Sequence, residues 1–200
     1  MKKNILLGES SFFYSTNEKG KYPKQETPEI AFLGRSNTGK SSLINSILNK
    51  KKIARISKRP GSTSTINYFQ IGKLLTLVDL PGYGYIRKAK DVARNISNLV
   101  KDYLQHRKNL KILLMIIDSR RGIDNNDKLL LNFLKTINIS LLLVFNKVDK
   151  LKVNELKILK SSSINIAKDY NFIVSTINTS CTKGIGINIV TRKIIHNINL

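Results

Sequence analysis

The chain has 200 residues, of which 41% are hydrophobic and 24% charged, a composition typical of one folded domain rather than of a disordered chain. A single cysteine excludes an internal disulfide and indicates a reducing, cytoplasmic compartment, and no apolar run approaches the roughly 18 residues that cross a bilayer. The net charge of +22, from 35 Lys and Arg against 13 Asp and Glu, favours a polyanionic partner such as RNA. A codon bias toward lysine is the alternative, but it does not explain why acidic residues are so few.

The predicted elements alternate between short apolar strands and helices. Residues 1–28 are irregular and polar, and we expect them to form an N-terminal arm packed on one domain over residues 29–200. Apolar runs predict six strands, at residues 30–33, 66–71, 74–79, 111–118, 139–145 and 172–176. Helical periodicity predicts five helices, at residues 40–49, 91–105, 125–136, 153–168 and 186–197. This alternation indicates an α/β fold with a mostly parallel six-stranded sheet and helices on both faces, and a hairpin at Gly72-Lys73 places one antiparallel strand at its edge.

A glycine-rich turn follows the first predicted strand and matches the phosphate-loop pattern G-x-x-x-x-G-K-[ST]. Its eight residues are Gly34, Arg35, Ser36, Asn37, Thr38, Gly39, Lys40 and Ser41. In this strand–turn–helix context, backbone N–H groups and the helix N-terminus face a phosphate, so a chance glycine-rich turn is the weaker interpretation. We expect Lys40 to reach the β- and γ-phosphates from an exposed loop, and the Ser41 hydroxyl to bind magnesium.

The strand at residues 74–79 ends in the motif D-x-x-G, made of Asp79, Leu80, Pro81 and Gly82. A carboxylate at this edge of the sheet faces the phosphate loop and can hold magnesium through a water. Gly82 can offer its N–H to a γ-phosphate and can act as a hinge for the loop that follows. A strand-ending aspartate is often only a turn residue, but its spacing after the phosphate loop and the hairpin favours the magnesium role.

A guanine-reading motif, N-K-x-D, follows the strand at residues 139–145 and consists of Asn146, Lys147, Val148 and Asp149. The Asp149 carboxylate can accept from guanine N1–H and from the 2-amino group together, a donor pair that adenine lacks. We expect Asn146 to tie this loop to the phosphate loop and the Lys147 stem to cover the face of the base. An ordinary polar turn is the weaker interpretation behind a phosphate loop.

A short polar segment after the last predicted strand contains Asn178, Thr179, Ser180 and Cys181. By its position, a backbone N–H here can donate to guanine O6, and Ser180 can support the loop of Asp149. We interpret Cys181 as a small packing residue rather than a nucleophile, since no histidine lies near it in sequence. His106 and His196 form no metal-binding pattern.

The long basic loop at residues 50–65 offers a hydroxyl that could complete magnesium coordination when γ-phosphate is bound. The candidate nucleotide-binding residues of this loop are Gly61, Ser62, Thr63, Ser64 and Thr65. From the residues alone, Thr63 and Thr65 remain rival magnesium ligands.

Taken together, these motifs resemble the EngB-type (YihA/YsxC) bacterial ribosome-biogenesis GTP-binding proteins, within the translation-factor class of GTPases. The resemblance covers about residues 22–198 and is carried by G-R-S-N-x-G-K-S-S-L-I-N at residues 34–45, D-L-P-G-Y-G-Y at 79–85 and the segment at 60–69. The family pattern D-x-R-x-G-x-x-x-x-D resembles Asp118, Arg120, Gly122 and Asp127. N-K-x-D stands here where the family often has T-K-x-D, and Ser62 and Ser64 replace its commoner Arg and Gln.

This resemblance implies a Ras-like domain that binds GTP and magnesium, with Thr63 as the switch threonine and with Ser41 and Asp79 as its partners at the metal. It further implies a role in assembly of the large ribosomal subunit and a requirement in normal cell division and septation. We expect a cytoplasmic monomer without membrane insertion. Alternatives are a non-ribosomal G protein acting at the membrane or in tRNA modification, and an RNA-binding module with a vestigial nucleotide site. A nucleotide kinase would have no need of N-K-x-D.

Hydrolysis of GTP is expected to involve Lys40, Thr63 and Gly82 and to be slow without assistance. Ras-type enzymes orient water with a glutamine directly after D-x-x-G, whereas this chain has Tyr83. No in-cis arginine finger is identifiable, although the sequence offers Arg35, Arg59 and Arg87 as candidates. Asn37 suggests potassium as a substitute for the arginine charge, because related GTPases use an asparagine at this place to coordinate potassium.

Two loops that should respond to γ-phosphate are rich in basic residues, which favours contact with RNA. The resemblance implies that this RNA is ribosomal RNA of the large subunit or its precursor. The basic residues are Lys50, Lys51, Lys52, Arg55, Lys58 and Arg59 in the first loop, and Arg87, Lys88 and Lys90 in the second. Tyr83 and Tyr85 lie beside the second group and could stack on an exposed base. The alternative is a solvated loop in which these tyrosines pack locally.

Overall fold

The computed structural model describes residues 8–50, 53–54, 64–83, 90–137 and 139–198, with only the backbone described for residues 90–97. Within these ranges the chain forms one sheet with helices on both faces. The strands are β1 (Ser10–Thr16), β2 (Glu29–Gly34), β3 (Ile66–Ile71), β4 (Leu75–Asp79), β5 (Leu110–Asp118), β6 (Ser140–Asn146) and β7 (Ile173–Thr179). The helices are α1 (Lys40–Ile47), α2 (Lys90–His106), α3 (Asn125–Lys135), α4 (Val153–Asp169) and α5 (Ile187–Asn197).

The described strands lie in the order β1-β3-β4-β2-β5-β6-β7. β3 runs antiparallel to its neighbours β1 and β4, and the other pairings in the described sheet are parallel. The predicted Ras-like α/β fold with an antiparallel hairpin toward one edge is therefore confirmed, with seven strands instead of six. The predicted helices and strands end within three residues of the observed ones.

The additional strand, β1, corrects the prediction that residues 1–28 are wholly irregular. β1 pairs with β3, and a bulge between Phe12 and Tyr14 interrupts the pairing. The rings of Phe13 and Tyr14 lie 6.1 and 5.8 Å from that of Tyr68 in β3. A bulge places two successive residues opposite one, so it breaks the two-residue alternation that would have signalled a strand in the sequence. The packing of aromatic rings between β1 and β3 stabilises β1 at the edge of the sheet.

Two apolar clusters divide the helices between the faces of the sheet. Leu43 and Ile44 of α1 pack with Val190 and Ile194 of α5 against one face. On the other face a second cluster is formed by α2, α3 and α4, through side chains such as Leu99, Leu131 and Leu159. The strands between them are buried on both sides, which explains their continuous apolar runs.

Strand register brings the ends of five strands together at one edge, here called the carboxyl edge. Asp79 of β4 pairs with Phe32 of β2, and Gly34 at the end of β2 pairs with Ile116 of β5. Further across the sheet, Asp118 of β5 pairs with Asn146 of β6, which pairs with Thr179 of β7. All four sequence motifs that the structure describes therefore meet at this edge, where parallel α/β sheets bind ligands.

The start of β2 is tied to the residue that follows α2 by a buried ion pair. Arg107 lies with its Nε 2.9 Å from both carboxylate oxygens of the fully buried Glu29. The Tyr103 hydroxyl donates to the same carboxylate at 2.7 Å, and Arg107 also donates to the carbonyl of Pro23 at 2.9 Å. Sequence patterns gave no sign of this network, because its members are 74 and 78 residues apart.

Candidate functional site

The phosphate-loop segment connects β2 to α1 and lies against the loop that follows β6. Gly39 has a φ of +92°, a conformation that favours glycine, and a Cβ there would lie 2.2 Å from Asn146 Nδ2. A Cβ on Gly34 would lie 2.7 Å from the carbonyl oxygen of Ile116. Close packing thus requires glycine at both positions, and the backbone conformation favours it at Gly39 as well.

The Lys40 ammonium group forms a direct ion pair with the Asp79 carboxylate. The two side chains are only 9% and 4% exposed, so the prediction that Lys40 stands on an exposed loop is wrong. Lys40 is the first residue of α1, and β4 delivers Asp79 to the same edge from the neighbouring strand. The candidate phosphate-binding cation and the candidate magnesium-binding carboxylate are therefore in contact.

Asn146 joins three loops at the carboxyl edge. Its Nδ2 donates to the carbonyl oxygen of Thr38 at 2.9 Å, so it does tie the guanine motif to the phosphate loop. Its Oδ1 accepts from the Thr179 hydroxyl at 3.2 Å and from Cys181 Sγ at 3.6 Å. Because the side chain is only 2% exposed, both ends of this amide serve to fix the loops relative to one another.

Lys147 bridges the phosphate loop and the end of β5. Its Nζ donates to the Asn37 carbonyl oxygen at 2.5 Å and to Asp118 Oδ2 at 2.8 Å. Burial raises the pKa of the Asp118 carboxyl, but hydrogen bonds from Arg120 and Lys147 outweigh it and lower the pKa to about 2. Asp118 is therefore ionised at neutral pH. The sequence placed both residues at strand ends of the same edge but did not predict this pair.

Asp149 follows Lys147 in a short 3₁₀ turn, Val148–Lys150, and is half-buried. A hydrogen bond from Ser180 is the main cause that lowers the pKa of its carboxyl below the usual value, and Lys150 Nζ lies 3.6 Å from Oδ2. An ionised carboxylate that accepts hydrogen bonds is what the guanine-reading role requires. The Ser180 Oγ itself lies 3.0 Å from Thr182 Oγ1 and accepts from the Lys183 N–H at 3.2 Å, and its support of the Asp149 loop stays a prediction.

The segment after β7 forms a small loop beside the guanine motif. The Ser180 N–H donates to the carbonyl oxygen of Ile185 at 3.0 Å, so this particular N–H is already engaged and does not point to guanine O6. Cys181 packs against the apolar cluster of α1 and α5, and burial raises the pKa of its thiol. These contacts support the interpretation of Cys181 as a packing residue.

The residues of the D-x-x-G motif lie directly against the phosphate loop. A Cβ on Gly82 would lie 3.1 Å from the Gly34 carbonyl oxygen and 3.4 Å from the Ser36 nitrogen. Tyr83 forms a backbone bridge with Arg35, and its hydroxyl donates to Asp127 Oδ1 at 2.8 Å. Because the ring also packs against the core, Tyr83 follows the local-packing alternative and is not available to stack on a base.

Arg35 turns away from the rest of the phosphate loop toward the start of α3. Its guanidinium forms an ion pair with Asp124, the N-cap residue of that helix. This pairing makes Arg35 a poor in-cis arginine finger, since the charge is held by a carboxylate. Its partner was not apparent in sequence, because 89 residues separate the two.

The switch loop is described only in part. Gly61, Ser62 and Thr63 lie outside the described residues, as do the candidate arginines Arg59 and Arg87. The Thr65 hydroxyl donates to Asn67 Oδ1 at 3.1 Å at the start of β3. This bond leaves the lone pairs of the Thr65 oxygen free, so the choice between Thr63 and Thr65 as magnesium ligand stays a prediction. Among the helices that the structure describes, none is both long and apolar enough to cross a membrane.

Comparison with known proteins agrees with this geometry. The family model described as 50S ribosome-binding GTPase matches residues 29–147. The probable GTP-binding protein EngB of Lactobacillus helveticus is 38% identical over 180 residues, covering 90% of this chain and 92% of the relative. A crystal structure of a probable GTP-binding protein EngB matches with a TM-score of 0.69 at 25% identity, covering 86% of this chain and 98% of that one. Era, solved with MgGDPNP and a segment of 16S ribosomal RNA, matches with a TM-score of 0.68 at 23% identity, over 86% of this chain and 57% of that one.

A mostly parallel sheet with phosphate and guanine motifs at its carboxyl edge defines a GTPase of the Ras-like class. Within that class, the chain belongs to the ribosome-binding GTPase family, as an EngB-type GTP-binding protein. Members of this family bind GTP and GDP, generally with magnesium.

Proposed function

We propose that this protein is a GTP-dependent switch in assembly of the large ribosomal subunit, required for normal division and septation. It acts in the cytoplasm as a monomer. The observation that carries this proposal is the convergence of the phosphate, D-x-x-G and guanine motifs at one sheet edge in a ribosome-binding GTPase. The net charge of +22 supports an RNA-rich partner, because a surface of this sign attracts phosphate backbones.

In the proposed site, backbone N–H groups of residues 34–41 cradle the phosphates. Lys40 neutralises the β- and γ-phosphates, and Asp149 reads guanine. Asn146 acts indirectly, because its hydrogen bonds to Thr38 and Thr179 hold these two half-sites in register. Their fixed spacing would favour a ligand with both a guanine base and a phosphate chain.

Magnesium fits the donors at this edge. Ser41 and Asp79 supply a hydroxyl and a carboxylate, the hard oxygen ligands that magnesium prefers, and Thr63 would complete the set. Asp79 is buried beside Lys40, so it offers a charged oxygen that is held in place before the metal arrives. Held by these residues, magnesium would supply positive charge that offsets the charge of the nucleotide phosphates.

The switch would work through the loops on either side of the β3–β4 hairpin. Thr63 and Gly82 would contact magnesium and γ-phosphate, and so order the two basic loops toward ribosomal RNA. Hydrolysis would release both contacts and lower the affinity for the subunit. The structure does not describe most of the basic residues of these loops. Those outside the described residues are the ones after Lys50 in the first loop, and Arg87 and Lys88 in the second.

Unassisted GTP hydrolysis is expected to be slow, at or below about 10⁻² s⁻¹, the scale of GTPases that work without an activating protein. The chain has Tyr83 where Ras-type enzymes have glutamine, and both Tyr83 and Arg35 are held by carboxylates at the start of α3. Single-turnover rates measured in sodium, in potassium and with large subunits test this expectation. Fast turnover in sodium that neither potassium nor ribosomes increase would contradict it.

Charge reversal in the first basic loop tests the proposed RNA contact. We expect the triple variant K51E/K52E/K58E to lose large-subunit binding at least about tenfold while GTP binding is unchanged, because each lost phosphate contact removes counterion release. The slope of log affinity against log salt should fall by about one for each lost contact. Co-sedimentation with purified large subunits measures both.

A matched control is the variant K157E/K160E/K168E, which makes the same change in net charge with three lysines of α4. We expect this control to bind large subunits more tightly than the loop variant at every salt concentration. Equal losses in the two variants would show that net charge alone governs binding, and would overturn the loop as the RNA contact.

A further inference from the structure

The side chain of Tyr83 points from the nucleotide edge to the start of α3. Tyr83 follows Gly82 directly, and its hydroxyl donates to Asp127 Oδ1 at 2.8 Å. Asp127 is fully buried, and the Tyr83 ring packs among apolar side chains of the core. Burial, together with the nearby Asp127 carboxylate, raises the pKa of the Tyr83 hydroxyl well above its usual value. The hydroxyl is therefore a permanent donor at physiological pH.

The acceptor of this hydrogen bond is itself held in place. Asp127 Oδ2 accepts from the Asp124 N–H at 3.0 Å and from Arg121 Nη2 at 2.9 Å. The Asp127 N–H in turn donates to Asp124 Oδ1 at 3.1 Å, which completes a capping box at the start of α3. With a backbone donor and an arginine on one oxygen, Asp127 presents the other to Tyr83 in a fixed orientation.

The phosphate loop is attached to the same place. Arg35 forms an ion pair with Asp124, and its backbone forms a bridge with Tyr83. The start of α3 thus holds the second residue of the phosphate loop and the residue after Gly82 together. Gly82, which directly precedes Tyr83, lies so close to the phosphate loop that a Cβ on it would be 3.1 Å from the Gly34 carbonyl oxygen.

We propose that Tyr83 is a positioning residue for recognition of γ-phosphate: its hydrogen bond to Asp127 holds the Gly82 N–H beside the phosphate loop. This inference rests on the proposed contact between Gly82 and γ-phosphate. GDP has no γ-phosphate, so the bond from Tyr83 to Asp127 contributes to the affinity for GTP and not to that for GDP. Tyr83 thereby sets how strongly the protein distinguishes the two nucleotides.

The variant Tyr83→Phe removes the hydroxyl and keeps the ring that packs in the core. We expect the affinity for a non-hydrolysable GTP analogue to fall at least about fivefold, the lower end of usual coupling between linked sites. The affinity for GDP should stay within about twofold of the wild-type value, because GDP has no γ-phosphate for the Gly82 N–H to contact. Calorimetric titration of both nucleotides with the full chain measures the ratio.

Tyr170→Phe is the matched control, because that hydroxyl donates to Asn132 Oδ1 at 3.0 Å at a distance from the nucleotide edge. It should leave the ratio of the two affinities as in the wild type. Equal weakening of both nucleotides by Tyr83→Phe, or no change in either, would overturn the role of Tyr83. Thermal melts of each variant show whether the fold is retained.

Gly82→Ala separates failure of this inference from failure of the proposed function. The added Cβ would push the D-x-x-G turn away from the phosphate loop, so the GTP analogue should lose at least as much affinity as it does with Tyr83→Phe. If Gly82→Ala lowers the ratio and Tyr83→Phe does not, only the positioning role is wrong. If Gly82→Ala leaves the ratio unchanged, the proposed γ-phosphate contact itself is wrong, and this inference with it.

Discussion

Asp149→Asn is expected to weaken GTP binding by about 100-fold or more and to shift the preference of the protein to xanthosine triphosphate. The ionised carboxylate can accept from two guanine donors at once, and sites built on such paired groups discriminate by orders of magnitude. The amide of asparagine donates where the carboxylate accepted, so it matches the carbonyl that xanthine carries in place of the 2-amino group. Competition binding with the two triphosphates measures the shift.

Asp169→Asn is a suitable control for this prediction. It makes the same chemical change at the exposed end of α4, away from the carboxyl edge. GTP affinity should be unchanged there. If the wild-type protein bound ATP and GTP equally well, or if Asp149→Asn retained full GTP affinity, the assignment of guanine reading to Asp149 would be wrong.

Lys40→Ala is expected to abolish measurable GTP binding and to lower the stability of the fold. The ammonium group that would neutralise the β- and γ-phosphates is lost. Because Lys40 also pairs with the buried Asp79, its removal leaves a buried carboxylate without a partner, which costs about 3 kcal/mol. Calorimetry for GTP and denaturant unfolding measure the two effects separately.

The double variant Lys40→Ala/Asp79→Asn distinguishes the two roles. Removing the negative charge from Asp79 should recover much of the lost stability, but it should not recover nucleotide binding. GTP binding at the wild-type level in Lys40→Ala, with the fold intact, would show that the phosphate loop has been wrongly assigned.

The sequence predicted most of this architecture because the site lies at the ends of buried parallel strands. Such strands are continuous apolar runs, and the polar residues that follow them, such as Asp79 and Asn146, must lie at the same edge. The glycines of the phosphate loop and the spacing of the motifs then specify the chemistry. The positions of these residues followed from local patterns alone.

Local sequence patterns could not predict the contacts between residues that are far apart in the sequence. The ion pair of Arg35 with Asp124 and the hydrogen bond of Tyr83 to Asp127 depend on where the start of α3 lies relative to the loops after β2 and β4, which no local periodicity records. The burial of Lys40 had the same cause, since its partner Asp79 arrives from another strand. These contacts also decide which residues near the nucleotide edge remain available for catalysis or for RNA.

β1 illustrates a different difficulty. Its aromatic residues stabilise the edge strand by packing on Tyr68, but the bulge and the surrounding serines hide the alternation that marks a strand. A strand that depends on cross-strand pairing with β3 has little signature of its own.

Binding to the large ribosomal subunit should depend on the bound nucleotide, and co-sedimentation measures this dependence. Purified large subunits and their precursors are sedimented with the protein in the presence of GDP or of a non-hydrolysable GTP analogue, over a range of salt concentrations. We expect tighter binding with the GTP analogue than with GDP, and a steep loss of binding as the salt concentration rises. Equal binding with the two nucleotides, or binding that salt does not affect, would contradict the proposed switch.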